Sequence, residues 1–79
     1  MRRYPNLSGD SGVDAYELGA DFIKIRFRRG VVYWYTKASV GARHMAALKR
    51  LAKRGWGLAT YISQHPDVSG GYARKEPDD

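Results

Sequence analysis

The stretch FIKIRFRRGVVYWYT, residues 22–36, holds two candidate strands and the turn between them. Ile23, Ile25 and Phe27 alternate with Lys24, Arg26 and Arg28, a period of two that predicts a strand with one buried and one wet face. Residues 31–36, rich in β-branched and aromatic side chains, predict the next strand. The turn at Arg28-Arg29-Gly30 sets how the two pair, and the pairing decides which face carries Tyr33, Trp34 and Tyr35.

Two registers compete. A two-residue turn at Arg29-Gly30 pairs Phe27 with Val32 and Arg26 with Tyr33, putting both tyrosines on the basic face; it needs positive φ at an arginine, at a cost of about 1 kcal/mol or more. A three-residue loop needs positive φ only at Gly30, as a bulge after a type I turn. It pairs Phe27 with Val31, Ile25 with Tyr33 and Ile23 with Tyr35. The second register is the expected one: it turns Tyr33 and Tyr35 toward a core and leaves Trp34 outside beside Lys24 and Arg26.

Outward from this hairpin, VDAYEL at residues 13–18 alternates enough for a first strand, with Gly19-Ala20-Asp21 as its turn. After residue 36 the period changes. From Ser39, a plausible N-cap, Val40, His44, Ala47, Leu48 and Leu51 fall at helical spacing, and Met45 and Ala52 widen the stripe. Gly55 suits a left-handed C-cap after Lys53 and Arg54. A second, short helix is expected over residues 58–64, ended by Pro66. The expected architecture is therefore α+β: a three-stranded antiparallel β-meander followed by one long and one short α-helix packed on one face. Residues 1–12 read as an N-terminal arm and 13–66 as the single domain. Residues 67–79 read as a mostly mobile tail in which Val68 and Tyr72 are the candidates to dock on the sheet.

A chain of 79 residues holds at most one domain, with a core supplying roughly 3–5 kcal/mol. The absence of cysteine excludes a disulfide framework, a thiolate metal site and a cysteine nucleophile, and fits a reducing cytoplasm. No apolar run approaches the about 20 residues that span a bilayer, so a soluble, cytoplasmic, unexported protein is expected. The net charge of +6 is unevenly placed. All eight acidic residues lie before position 22 or after position 66, whereas ten of the fourteen Lys and Arg residues lie between. Such an acid-free interval predicts attraction for polyanions.

Individually weak elements occur here in a fairly specific order. They are SGVDAYELG at residues 11–19, the F-x-x-G-x-x-Y-x-Y of Phe27, Gly30, Tyr33 and Tyr35, the segment MAALKRLAKRGWGLATYI at 45–62, and the closing Tyr72-Ala73-Arg74-Lys75. In that order, over nearly the whole chain, they resemble the KTSC domain family. That family is named for a domain at the C-terminus of some lysyl-tRNA synthetases and occurs also in short stand-alone bacterial and phage-related proteins. The resemblance implies a fold and points to RNA binding, with no defined mechanism. One departure is Trp34 in the middle of the Y-x-Y, where relatives commonly carry a polar residue. A solvated middle position implies inward-pointing tyrosines.

These readings converge on a non-catalytic binding module for RNA or another single-stranded nucleic acid. Such ligands stack bases on aromatic rings while Lys and Arg hold the phosphates. The candidate contacts are Lys24, Arg26, Arg28, Arg29 and Trp34 on the sheet and Lys49, Arg50, Lys53 and Arg54 on the helix. The plainer alternative for Trp34 is a ring that covers the sheet face, packed on the stems of Lys24 and Arg26. The alternative function is a protein-interaction or inhibitor module docking on an acidic partner, with Trp34, Trp56 and Tyr61 as anchors.

Catalytic and cofactor signals are weak. His44 sits on the apolar stripe and reads as a packed residue, and His65 as an ordinary helix-end residue. Without carboxylates between positions 22 and 66 they make a poor metal site. No glycine-rich phosphate loop is present, so no cofactor is expected. A metal-free nuclease built on His44 and nearby lysines is the residual catalytic option. A membrane-surface role for the basic helix conflicts with the use of its Ala-rich apolar face in the core.

Overall fold

The structure, a computed structural model, describes residues 1–5, 7, 12–28 and 30–77. Among them five strands, β1 (Arg2–Arg3), β2 (Val13–Leu18), β3 (Phe22–Phe27), β4 (Val31–Thr36) and β5 (Arg74–Pro77), form one antiparallel sheet whose spatial order is the chain order. Four helices, α1 (Lys37–Val40), α2 (Ala42–Arg54), α3 (Leu58–Gln64) and α4 (Pro66–Ser69), come between β4 and β5.

The β3–β4 hairpin adopts the second register. Phe27 pairs with Val31, Ile25 with Tyr33 and Ile23 with Tyr35. Gly30 takes φ of 82° and donates its N–H to the Phe27 carbonyl (3.0 Å), so the positive φ falls on the residue without a Cβ. Arg29 lies outside the described residues. As a result Ile23, Ile25 and Tyr35 are fully buried beneath the helices, and Tyr33 packs against the same core half-buried.

In β2 the alternation is interrupted by a bulge between Val13 and Ala15. Val13 pairs with Phe27 and Tyr16 with Ile25, so both reach the core although they are three positions apart. The extra residue, Asp14, turns its carboxylate across to Arg26. Without the bulge, in a regular strand, two residues three positions apart would face opposite sides.

The expected α+β class holds, but the three-stranded meander and two helices are extended at both ends. The N-terminal arm contributes β1 and a core residue: Tyr4, 3% exposed, meets Tyr16 edge-on and accepts a hydrogen bond from the Leu58 N–H (3.3 Å). The tail contributes α4, with Val68 fully buried, and β5 along the edge of β4. Both added strands are short and charged, RR and RKEP, as suits edges that must not recruit another chain. That composition hides them from a reading based on apolar alternation. The turn cluster at residues 8–11 and the terminal Asp78 and Asp79 lie outside the described residues.

The long helix also starts differently. Thr36, not Ser39, is the first N-cap, and Ser39 completes a capping box with it. The helix then breaks at Gly41, whose φ of 91° and ψ of 159° exclude helical continuation, and α2 begins at Ala42. Its C-terminus ends as expected at Gly55 in the left-handed conformation. Met45, Leu48, Leu51 and Ala52 of α2 meet Leu58 and Ile62 of α3 and the buried face of the sheet.

Leu48, with no exposed surface, sits in this single core. Its truncation to Ala should cost about 2–5 kcal/mol, comparable with the whole stability of a domain this small, roughly 3–5 kcal/mol. Urea titration followed by circular dichroism should find Leu48→Ala largely unfolded at 25 °C.

Candidate nucleic-acid interface

The register that buries Ile23, Ile25 and Tyr35 puts Lys24, Arg26 and Trp34 together on the outer sheet face. Across the four central and distal strands the row Glu17, Lys24, Trp34, Arg74 runs in register. Lys24 lies 4.0 Å from the centre of the Trp34 ring and 3.5 Å from the Glu17 carboxylate. Phe22 stacks on Trp34 at 5.5 Å, and the indole N–H donates to Glu76 Oε1 (3.0 Å). The Trp34 ring is thus half-buried and already covered by neighbours of its own chain.

Every cation of this platform also meets a carboxylate. Arg26 contacts Asp14 through Nε (3.0 Å) and a terminal nitrogen (2.9 Å), Lys24 meets Glu17, and Arg74 meets Glu76 (3.1 Å). All three acids come from the flanks of the acid-free interval. Segments far apart in sequence are adjacent strands here, so the charge block seen along the chain is balanced across the sheet. Such exposed pairs contribute little stability, about 0–1 kcal/mol each, but they lower the potential a phosphate would meet.

The helical half of the predicted site is different. Helix α2 lies on the opposite, buried side of the sheet, so its cations and the Trp34 face form two surfaces. Lys49 turns inward: its Nζ donates to the Gly19 and Ala20 carbonyls (2.7 and 3.0 Å) and holds the β2–β3 turn. Arg50 and Lys53 are exposed and have no carboxylate within 4.0 Å among the described residues. Arg43, Arg50 and Arg54, at spacings of seven and four, follow one outward stripe. Arg54 stacks its guanidinium 3.8 Å from the centre of the Trp56 ring, which is 46% exposed.

Trp56 was expected only as an anchor for a protein partner. Its place in Gly55-Trp56-Gly57 was the available signal, because a tryptophan at a corner between two helices has no element to bury it. Arg28 is exposed at the hairpin end, its backbone N–H bound to the Gly12 carbonyl (2.9 Å). Arg29 lies outside the described residues.

His44 is not merely packed. Its Nε2–H donates to Asp67 Oδ2 (2.8 Å) and its Nδ1 lies 2.6 Å from the Tyr61 hydroxyl. The ionised Asp67 can only accept, so in a neutral His44 the ring proton sits on Nε2 and Nδ1 accepts from Tyr61. His65 stacks on Tyr61 at 4.0 Å and donates from Nδ1 to the Tyr61 carbonyl (2.7 Å). This chain ties α2, α3 and α4 together. No group of three or more potential metal ligands occurs among the described residues.

No helix among the described residues is long and apolar enough to cross a membrane. No family model, curated protein or solved structure matches the chain.

The hydrogen bond from His44 holds the Asp67 carboxyl below its ordinary value of 3.8, and the charges of His44 and His65 act in the same direction. A depressed folded value means that this contact is fully stabilising above the ordinary carboxyl range and is lost as pH falls through the lowered value. Urea midpoints measured from about pH 5 down to pH 2 should therefore fall less steeply in Asp67→Asn than in the parent chain.

Proposed function

We propose that the chain is a small non-catalytic binding module for RNA or another single-stranded nucleic acid, engaged chiefly through the outward face of α2 and Trp56. The observation that carries this reading is the exposed Trp56 ring beneath Arg54, on a helix whose Arg50 and Lys53 have no carboxylate partner among the described residues. A base can stack on such a ring while the adjacent cations take the flanking phosphates. Arg43 extends the phosphate track along the helix. The resemblance to the KTSC family supports the same ligand class. The sheet face, with its cations paired and Trp34 covered, contributes less.

The same Arg54–Trp56 pair suits an anchor on an acidic protein, the alternative function, and the two readings part on salt and stacking. Fluorescence anisotropy with an unstructured labelled oligonucleotide should show binding that weakens steeply with salt, the slope falling by about 0.7 for each phosphate contact removed. Arg50→Ala combined with Lys53→Ala should lower that slope. Trp56→Ala should weaken binding by about 1–3 kcal/mol while Trp34→Ala changes it little. Equal losses in the two tryptophan variants would move the interface to the sheet. No binding by micromolar protein at low salt would remove the nucleic-acid reading.

A further inference from the structure

The Y-x-Y tyrosines, turned away from the outer face, do more than fill the core. Between the hairpin end of β3–β4 and the helices α3 and α4 lies a cleft of about 520 Å³, within the size range of small-molecule sites. Phe27, Tyr33 and Tyr35 form its sheet wall and Ile62 lines it from α3. Arg28 and Lys75, both exposed, bring two cations to it, and none of its described lining residues is acidic.

The wall is preformed. Tyr33 meets Phe27 edge-on at 5.3 Å, lies nearly parallel to Tyr35 at 6.2 Å, and is braced on a further side by Tyr72 at 4.9 Å. Three ring neighbours thus set its orientation before any ligand arrives, which lowers the ordering cost of binding. Tyr33 nevertheless keeps accessible surface in the cleft, and the Lys75 ammonium lies 5.7 Å from its ring centre. Lys75 is placed there by β5, because it pairs with Tyr33 and so shares its face of the sheet.

An aromatic wall with two cations and no acid among its described lining residues selects a ligand that is planar and apolar at one end and anionic at the other. We infer that this cleft is a nucleotide site, with the base against Phe27 and Tyr33, backed by the buried Tyr35, and the phosphate on Arg28 and Lys75. The ligand is either a free mononucleotide or one nucleotide of a single strand. The site uses none of the α2 residues assigned to strand binding, so it stands or falls separately from that surface.

Amide chemical shifts of the labelled full chain would be followed during titration with AMP, with UMP, with inorganic phosphate and with a short single-stranded oligonucleotide. Shifts at Phe27, Tyr33, Ile62 and Lys75 with the mononucleotides assign a free nucleotide; the same shifts with the oligonucleotide alone assign a nucleotide held in a strand. Phosphate alone should bind at least tenfold more weakly than the matching nucleotide, because it leaves the ring wall unused. Arg28→Ala combined with Lys75→Ala, two exposed positions outside the core, should weaken binding about tenfold or more. Tyr33→Leu, which keeps an apolar side chain, should also weaken it while amide dispersion reports an intact fold. The inference is overturned if no titrant shifts the cleft residues, including the case in which the oligonucleotide shifts only α2 and Trp56. It is equally overturned if binding there survives the Arg28 and Lys75 substitutions unchanged.

Discussion

The pairing of Ile23 with Tyr35 and Ile25 with Tyr33 is the constraint from which the rest of the molecule follows. A slip of one residue would send every side chain of β4 to the other face. The tyrosines would then join Lys24 and Arg26 outside, and Trp34 would have to fit beneath α2 and α3. The observed register is held locally by the positive φ of Gly30 and globally by the core, where Ile23, Ile25 and Tyr35 are sealed under Leu48 and Leu58. Burial pushes the Tyr35 phenol well above its ordinary value, with Tyr33 and Tyr72 adding in the same direction. An ionised phenol is thereby kept out of the core.

Once the register is set, the bulge in β2 settles the electrostatics of the outer face. The extra residue at Asp14 lets Val13 and Tyr16 both reach the core and at the same time points a carboxylate at Arg26. On the other side of the hairpin, β5 brings Glu76 to the Trp34 indole and Arg74 to the same face. β2 thus neutralises the central cations, while β5 covers a sheet edge and supplies the carboxylate for the Trp34 indole and Arg74.

The central fold was legible because its signals are local. Period-two alternation located β3, the turn chemistry of Gly30 chose the register, and Pro66 bounded α3. What was not legible depends on partners distant in sequence. Arg2-Arg3 and RKEP carry no apolar alternation, so their recruitment as edge strands follows only once β2 and β4 exist to receive them. Likewise the His44, Tyr61 and Asp67 chain joins three helices through residues 23 positions apart at its ends. The helix start is an intermediate case: the N-cap was read at Ser39, three residues after Thr36, and the glycine at 41 was visible but not read as a break.

Charge along the chain and charge on the surface are separate quantities, and this sheet shows why. An acid-free run of residues becomes an electropositive surface only where the fold keeps the flanking acids away. In β3 the neighbouring strands carry Asp14 and Glu17, so Lys24 and Arg26 are paired. Among the described residues Arg50, Lys53 and Arg54 of α2 meet no carboxylate, and Arg54 lies over an exposed ring. At the hairpin end Arg28 and Lys75 again reach one cleft with no acid among its described lining residues. Among the described residues Asp14, Glu17 and Glu76 are committed to the outer sheet face and Asp67 to His44, which leaves the cations of α2 and of the cleft without them.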